Sequence, residues 1–458
     1  MNARHFISGE DLLATLKLAV PLVIAELGWM LMGIVDTMFV GRLPNSADAI
    51  GASGLGNAIY INIVLLLGGV LLALDTIISQ AFGAGLLREC RSGMVHGLYI
   101  ASALTPVITA ATFAIIEILP RCGLTPSVMD QLVPFMGTLV WGTLPLLLYF
   151  VLRRYLQGMN VVGPIPFALI SANVVNAFFN WVLIYGNLGA PAMGIKGSAW
   201  ATNIARFYMF AVLAVFSWWH DRKLELLRGQ LGINFRLITR IFRIGVPVAV
   251  QIGLEIAVFA GAAGLIATID ATQLAAHEIA MLCAATTFMV PLGVSAAAAV
   301  RVGQAVGRRD LRGVIYAGWS ALLLGVGFMS LSAMAFITAG KWIAAAFTSD
   351  IQVANITVKL LFLAGVFQLA DGTQIVSSGA LRGLGETKIP MYTTMGGYWL
   401  VGLPLGYLLC FNQGLGAVGM WISFVLSLVL VAVTLLTFWR RKSQSLPLIQ
   451  TESRTDIG

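Results

Sequence analysis

Apolar residues run in long stretches, each about 20 residues or more, separated by short polar punctuation. The stretches fall at 14–40, 51–79, 93–119, 133–157, 166–186, 195–218, 243–267, 275–300, 314–338, 352–380, 390–411 and 414–438, and predict twelve membrane-spanning helices. Several are longer than the hydrocarbon is thick, which allows tilt or projection beyond the bilayer. The longest hydrophilic connection, 219–242, divides the chain into six spans and six spans. A polar leader from Met1 to Leu12 enters a full-length span without a small-residue cleavage site, so the first helix is expected to stay in the mature protein.

The division invites a search for an internal copy. Pro21 in the first span matches Pro247 in the seventh. Gly69, Gln80, Gly83, Leu87 and Arg88 recur as Gly293, Gln304, Gly307, Leu311 and Arg312. Leu156 and Gly158 recur as Leu381 and Gly383, and Gly189 and Gly194 as Gly414 and Gly419. A glycine or proline match alone carries little, but four separate stretches keep nearly one register. An even number of spans per copy inserts both copies in the same orientation. The fold class expected is therefore an all-α polytopic membrane protein, with twelve transmembrane helices in two parallel-repeat six-helix bundles around a central cavity. The domains expected are an N-lobe over 1–228, a C-lobe over 229–442 and a disordered cytoplasmic tail over 443–458.

Composition agrees: 59% of residues are hydrophobic and 10% charged, where a soluble domain carries about a quarter charged. The net charge of +8 does not point to nucleic acid, because the basic residues are scattered in short loops with no contiguous face. They read as topology signals. Arg88, Arg91, Arg153, Arg154, the run from Arg222 to Arg243, Arg301, Arg308, Arg309, Arg312, Arg382 and Lys388 fall on one side. Arg42, Arg121, Lys196, Lys341 and Lys359 fall on the other, which places both termini in the cytoplasm and the protein in the inner (plasma) membrane. Cys90, Cys122, Cys283 and Cys410 have neither ligand spacing nor a paired framework.

A carboxylate inside a span costs about 2.5–3.5 kcal/mol at the helix centre, so it faces a partner or a cavity. Asp36, in the first span, is the leading candidate. In the fifth span Asn176 and Asn180 stand at i and i+4, on one helical face. Their carbonyl oxygens, the Thr202 hydroxyl and the Asp36 carboxylate suit a hard monovalent cation such as Na+, and the same amides equally suit an interhelical hydrogen-bond network. In the second half Glu255 and Asp371 lie within spans seven and ten, with Glu278 beside His277 as a further acid that joins them or sits at the water boundary. Two carboxylates facing one cavity resist ionising together, so one can hold a proton near neutral pH and exchange it for a cation. Arg206 reads as an internal counter-charge, Asp75 and Glu117 as structural or interfacial groups. Trp29, Met30, Phe259, Phe367 and Tyr392 can line an adaptable pocket or pack helices.

The chain has no Gly-rich phosphate loop ending in Lys-Ser/Thr and no paired metal-binding histidines, so no enzymatic reading and no cofactor is expected. Energy should come from an ion gradient. The pattern from Pro21 to Asp36 followed by Thr37 and Gly41, the stretches Gln80–Gly83 and Gln304–Gly307, and the paired Leu156-Gln157-Gly158 and Leu381-Arg382-Gly383 resemble those of the multidrug and toxic compound extrusion (MATE) transporters, NorM-type branch. The resemblance covers about Leu16 to Thr437. It implies two six-helix lobes, a V-shaped cavity, and export of organic cations against inward Na+ or H+. Residue by residue it makes Asp36 the N-lobe cation-binding carboxylate, Asn176, Asn180 and Thr202 its polar companions, and Glu255 and Asp371 the C-lobe acidic pair. Glu278 departs from the Gln expected after Ala275-Ala276-His277, which adds a charge to the C-lobe.

The function expected is secondary active multidrug export, by cation-coupled antiport and alternating access. The coupling ion is Na+ or H+, and the partners are organic cations and the lipid bilayer around a functional monomer. One rival is a lipid-linked oligosaccharide flippase of the same superfamily, which should have more spans and a basic cavity; another is an ion channel, which needs a continuous polar pore.

Overall fold

The computed structural model describes residues 9–226, apart from the Cys122 side chain, and 232–445. Residues 1–8 of the leader and 446–458 of the expected tail lie outside the described residues. Among the described residues twelve helices are long and apolar enough to cross a membrane, and no strand forms. They are α1 (Gly9–Val40), α2 (Ser46–Gly83), α3 (Leu87–Arg121), α4 (Pro126–Gly158), α5 (Pro164–Tyr185), α6 (Ile195–Lys223), α7 (Phe235–Ala267), α8 (Ala271–Gly307), α9 (Leu311–Phe347), α10 (Ile351–Leu384), α11 (Lys388–Asn412) and α12 (Gly416–Gln444).

Every predicted span is present, and most helices run beyond their apolar stretch because polar residues can start or stop a helix. Pro126 and Pro164 open α4 and α5, where a missing N–H costs nothing. Asp310 caps α9 by accepting from Gly313 N at 2.9 Å, and Asp350 caps α10 by accepting from Gln352 N at 2.7 Å. Gly186 closes α5 at φ 75°, a left-handed cap that favours glycine. The connection expected over 219–242 is correspondingly shorter, since α6 continues to Lys223 and α7 starts at Phe235. Helix α12 likewise reaches Gln444, two residues into the expected tail.

Contacts divide the chain into two compact units: residues 24–78 with 87–249, and residues 1–23 with 79–86 and 250–458. Helices α1 and α7 each pass from one unit to the other, two residues after the matched prolines Pro21 and Pro247.

In the unit of residues 24–78 and 87–249, α5 and α6 pack closely. A Cβ at Gly197 would lie 2.5 Å from the Leu183 carbonyl oxygen and 2.6 Å from its carbon, too near for any side chain. Gly197→Ala should therefore cost about 1–3 kcal/mol by overpacking, measured as a lower melting temperature of the solubilised protein; an unchanged value would show that α6 can move away freely. The interior of this unit is ionic as well as apolar. Arg153 pairs with Glu26, and Arg154 lies 3.3 Å from Asp75, which is fully buried. Asp221 accepts from the Tyr155 hydroxyl and stands 3.8 Å from Arg91. Arg91, Arg153 and Arg154 are thus helix-borne partners of internal acids and not the loop charges expected from sequence.

In the other unit α10 packs on α8, α9 and α12. Phe259, Phe367, Tyr398, Trp421 and Phe424 form one aromatic core, with Phe259 and Phe424 centroids 5.2 Å apart. Arg301, also counted as a loop charge, binds the start of α1 through Asp11 Oδ1 at 2.7 Å and the Thr15 hydroxyl.

Candidate functional site

Helix α1 is tied to α5 on both sides of Asp36. Asn173 donates to the Gly28 carbonyl at 3.0 Å, and the Tyr185 hydroxyl donates to the Phe39 carbonyl at 2.7 Å. Between these ties Asp36 faces three polar side chains. Its Oδ1 accepts from Asn176 at 3.0 Å and from Asn180 at 2.7 Å, while its Oδ2 accepts from Thr202 at 3.1 Å. Asn180 also donates to Asn176 Oδ1 at 3.1 Å, and both asparagines are fully buried. All four residues expected at this site meet.

One feature differs from the oxygen cage. The amide nitrogens, not the carbonyl oxygens, point at Asp36, because a carboxylate on its own draws N–H donors. Asn180 Oδ1 is left buried without a hydrogen-bond partner among the described residues. Turning that amide over would exchange a donor for an oxygen ligand. The Thr202 proton is shared with the Ser198 carbonyl at 3.0 Å, so its lone pairs remain open. Arg206, expected to be an internal counter-charge, is buried, donates to the Leu139 carbonyl at 3.4 Å and lies 4.8 Å from the Tyr60 ring centroid.

The second cluster surrounds Glu255 in α7. Its Oε1 accepts from Gln374 at 2.7 Å, from Gln251 at 3.1 Å and, more weakly, from Thr394 at 3.5 Å. Gln374 is itself fixed by the Tyr398 hydroxyl at 2.9 Å. Asp371 is buried one helical turn before Gln374, the residue that donates to Glu255. No hydrogen bond among the described residues uses the Asp371 carboxyl group or Glu255 Oε2, so their lone pairs are available to a proton or cation. Sequence reading missed Gln251, Gln374, Thr394 and Tyr398. The first two carried a signal, standing at i−4 from Glu255 and i+3 from Asp371. Thr394 and Tyr398 carried none, because α11 changes from an α-helix ending at Thr394 to a π-helix over Met395–Gly402, which shifts the register between the two residues.

Glu278 does not join this cluster. It is exposed, and no hydrogen bond among the described residues links it to Glu255 or Asp371. Successive helical residues are about 100° apart; His277 turns inward to accept from Trp421 Nε1 at 3.1 Å, so Glu278 turns out. Of the expected lining residues, Phe259 and Phe367 belong to the aromatic core and Trp29 packs on Phe150 at 5.9 Å. Met30 lines a shallow depression on α1 with Gly33, Ile34, Thr37 and Met38, and Tyr392 is exposed.

A family model described as MatE matches the chain twice, over residues 21–182 and 247–408. The two matches are displaced by the same interval as Pro21 and Pro247, which is the repeat read from sequence. The chain is 36% identical over 447 residues to the "Probable multidrug resistance protein NorM" of Mesorhizobium japonicum, covering 96% of this chain and 95% of that protein. It is 34% identical over 444 residues to the protein of the same name from Brucella suis, covering 94% and 93%. Among solved structures, the eukaryotic MATE transporter AtDTX14 superposes with a TM-score of 0.86 at 19% identity, covering 95% of this chain and 98% of that one. An outward-facing multidrug resistance MATE family transporter of the MOP superfamily gives 0.84 at 18% identity, covering 96% and 97%.

Proposed function

This chain belongs to the MatE family, that of the multidrug and toxic compound extrusion transporters, and from that premise we propose that it exports organic cations across the inner membrane in exchange for Na+ or H+. The observation that carries the proposal is the Asp36 carboxylate, held inside a membrane-spanning helix by Asn176, Asn180 and Thr202. Glu255, held by Gln374 with buried Asp371 one turn away on the same helix as Gln374, gives the second half of the chain a carboxylate site of its own. Relatives named as multidrug resistance proteins support the cargo class.

The cycle needs no catalytic step and no cofactor. An organic cation loads from the cytoplasm, and leaves outward when Na+ or H+ takes up the carboxylate charge. The ion-loaded lobes, 1–228 and 229–442, then rock inward with both termini in the cytoplasm and a single chain as the working unit. Protonation turns Asp36 from an acceptor into a donor, and Na+ asks for oxygens in place of N–H groups. Na+ therefore requires the amides of Asn176 and Asn180 to turn over, whereas a proton on Oδ2 needs only that the Thr202 hydroxyl accept in place of donating, with Oδ1 still accepting from both amides. One-for-one exchange of monovalent cations is electroneutral: it draws about 1.4 kcal/mol per pH unit from a proton gradient and nothing from voltage, which otherwise supplies about 2.3 kcal/mol per charge per 100 mV.

Efflux of a fluorescent organic cation from proteoliposomes, under a Na+ gradient and a pH gradient imposed separately, tests this. One gradient should drive efflux by the wild type, and Glu255→Gln should lower that coupled rate at least about 10-fold, the loss expected when a buried charge worth 1.4 kcal/mol or more is removed. If neither gradient moves the cation while a lipid-linked sugar crosses, the exporter reading fails.

A further inference from the structure

Helix α6 carries an exposed apolar stripe, Phe207, Val215 and Trp218, that suits the bilayer interior, and at its end the stripe becomes aromatic and basic. Trp218 and Trp219 are half exposed, and each has a cation over its ring. The Arg222 guanidinium carbon lies 5.4 Å from the Trp218 centroid, and Lys223 Nζ lies 3.4 Å from the Trp219 centroid. Stacking occupies the face of the guanidinium and leaves its in-plane N–H donors pointing outward. No hydrogen bond or ion pair among the described residues uses the side chain of Arg222 or Lys223. The one acid already near them in the helix, Asp221, is buried and engaged by Tyr155 and Arg91.

The start of α7 is brought to the same place. Arg91 donates to the Leu226 carbonyl, and five residues along the same helix His96 Nε2 accepts from Asn234 N at 2.8 Å. Both ends of the connection between α6 and α7 are thereby pinned to α3, a little more than one helical turn apart. Ile233 and Phe235, 61% and 75% exposed, and exposed Arg236 thus stand beside the end of α6, with Glu225 the exposed acid at the margin. Apolar and aromatic side chains to enter the acyl boundary, capped by cations with unengaged donors, match a phospholipid whose headgroup is an anion.

We propose that the Trp218, Trp219, Arg222 and Lys223 end of α6, with Phe235 and Arg236 of α7, is a binding site for an anionic phospholipid of the cytoplasmic leaflet. The leaflet assignment rests on the proposed orientation of the chain; the site itself does not. Rings hold the two cations at headgroup depth, so that Arg222 forks onto the phosphate while Lys223 supplies a second point charge.

The full chain, delipidated in detergent, is titrated with phosphatidylglycerol, phosphatidylethanolamine and inorganic phosphate while its melting temperature is followed. Phosphatidylglycerol should raise it, and R222Q/K223Q should need about 30-fold more lipid for half the effect, at about a fifth of the affinity left per cation removed. R222K/K223R should respond as wild type, and R308Q/R309Q, an exposed arginine pair of the other unit, should leave the titration unchanged. The proposal is overturned if phosphatidylethanolamine acts equally well, if inorganic phosphate alone reproduces the shift, if R222Q/K223Q matches wild type, or if the two glutamine pairs lose the response alike. Because the readout is binding in detergent, failure of export or of the orientation would leave this result standing.

Discussion

Asp36→Asn is expected to reduce gradient-driven efflux from proteoliposomes by roughly a thousandfold, to the leak of protein-free vesicles, with the protein still folded and inserted. The substitution keeps the shape of the side chain and an oxygen for Asn176 or Asn180 to donate to, so packing of α1 on α5 through Asn173 and Tyr185 should survive. What it removes is the charge. A monovalent cation about 4 Å from a carboxylate gains about 4 kcal/mol at an effective dielectric of about 20. That is roughly three decades of retention, and the competition between drug and ion in the proposed exchange has no other basis at this site. An unchanged melting temperature with lost efflux would place the effect in transport. Coupled efflux that persists in Asp36→Asn would transfer the cycle to Glu255 and Asp371.

The fold was readable because a bilayer imposes one rule on every span. Backbone polar groups must be satisfied internally, so each long apolar stretch had to be a helix. The Asp36 cluster was readable for a related reason: Asn176 and Asn180 sit one turn apart in a span where amides are conspicuous. Two kinds of feature were hidden. Tyr398 reaches the Glu255 cluster from the π-wound part of α11 and Thr394 from the residue just before it, and a register change between the two leaves no periodic trace. The arginines were the other case. Arg91, Arg153, Arg154 and Arg301 lie at the ends of apolar stretches, where a loop charge marking topology and a helix charge serving an internal acid look alike. Their partners, Asp221, Glu26, Asp75 and Asp11, are far off in sequence, so only the packing of α1 to α6 and α8 reveals the pairs.

Those internal pairs carry the other large expected effect. Arg153→Met should destabilise the protein by about 3–5 kcal/mol, the cost of leaving the opposing charge buried and alone. Arg153 is 4% exposed and Glu26 14%, so little water is available to either charge once the other is gone. Glu26→Leu alone should be as damaging. The pair of substitutions together should recover most of the loss, because two apolar side chains of similar volume replace a buried ion pair at little or no cost. Melting of the solubilised full chain for the wild type, both single variants and the double variant gives the coupling energy directly. If Arg153→Met alone melts no lower than the double variant, Glu26 is not an uncompensated charge and the pair is not what holds α1 to α4. If stability returns in the double variant while efflux does not, the pair serves the transport cycle as well as the fold, because α1 passes between the two units only three residues before Glu26.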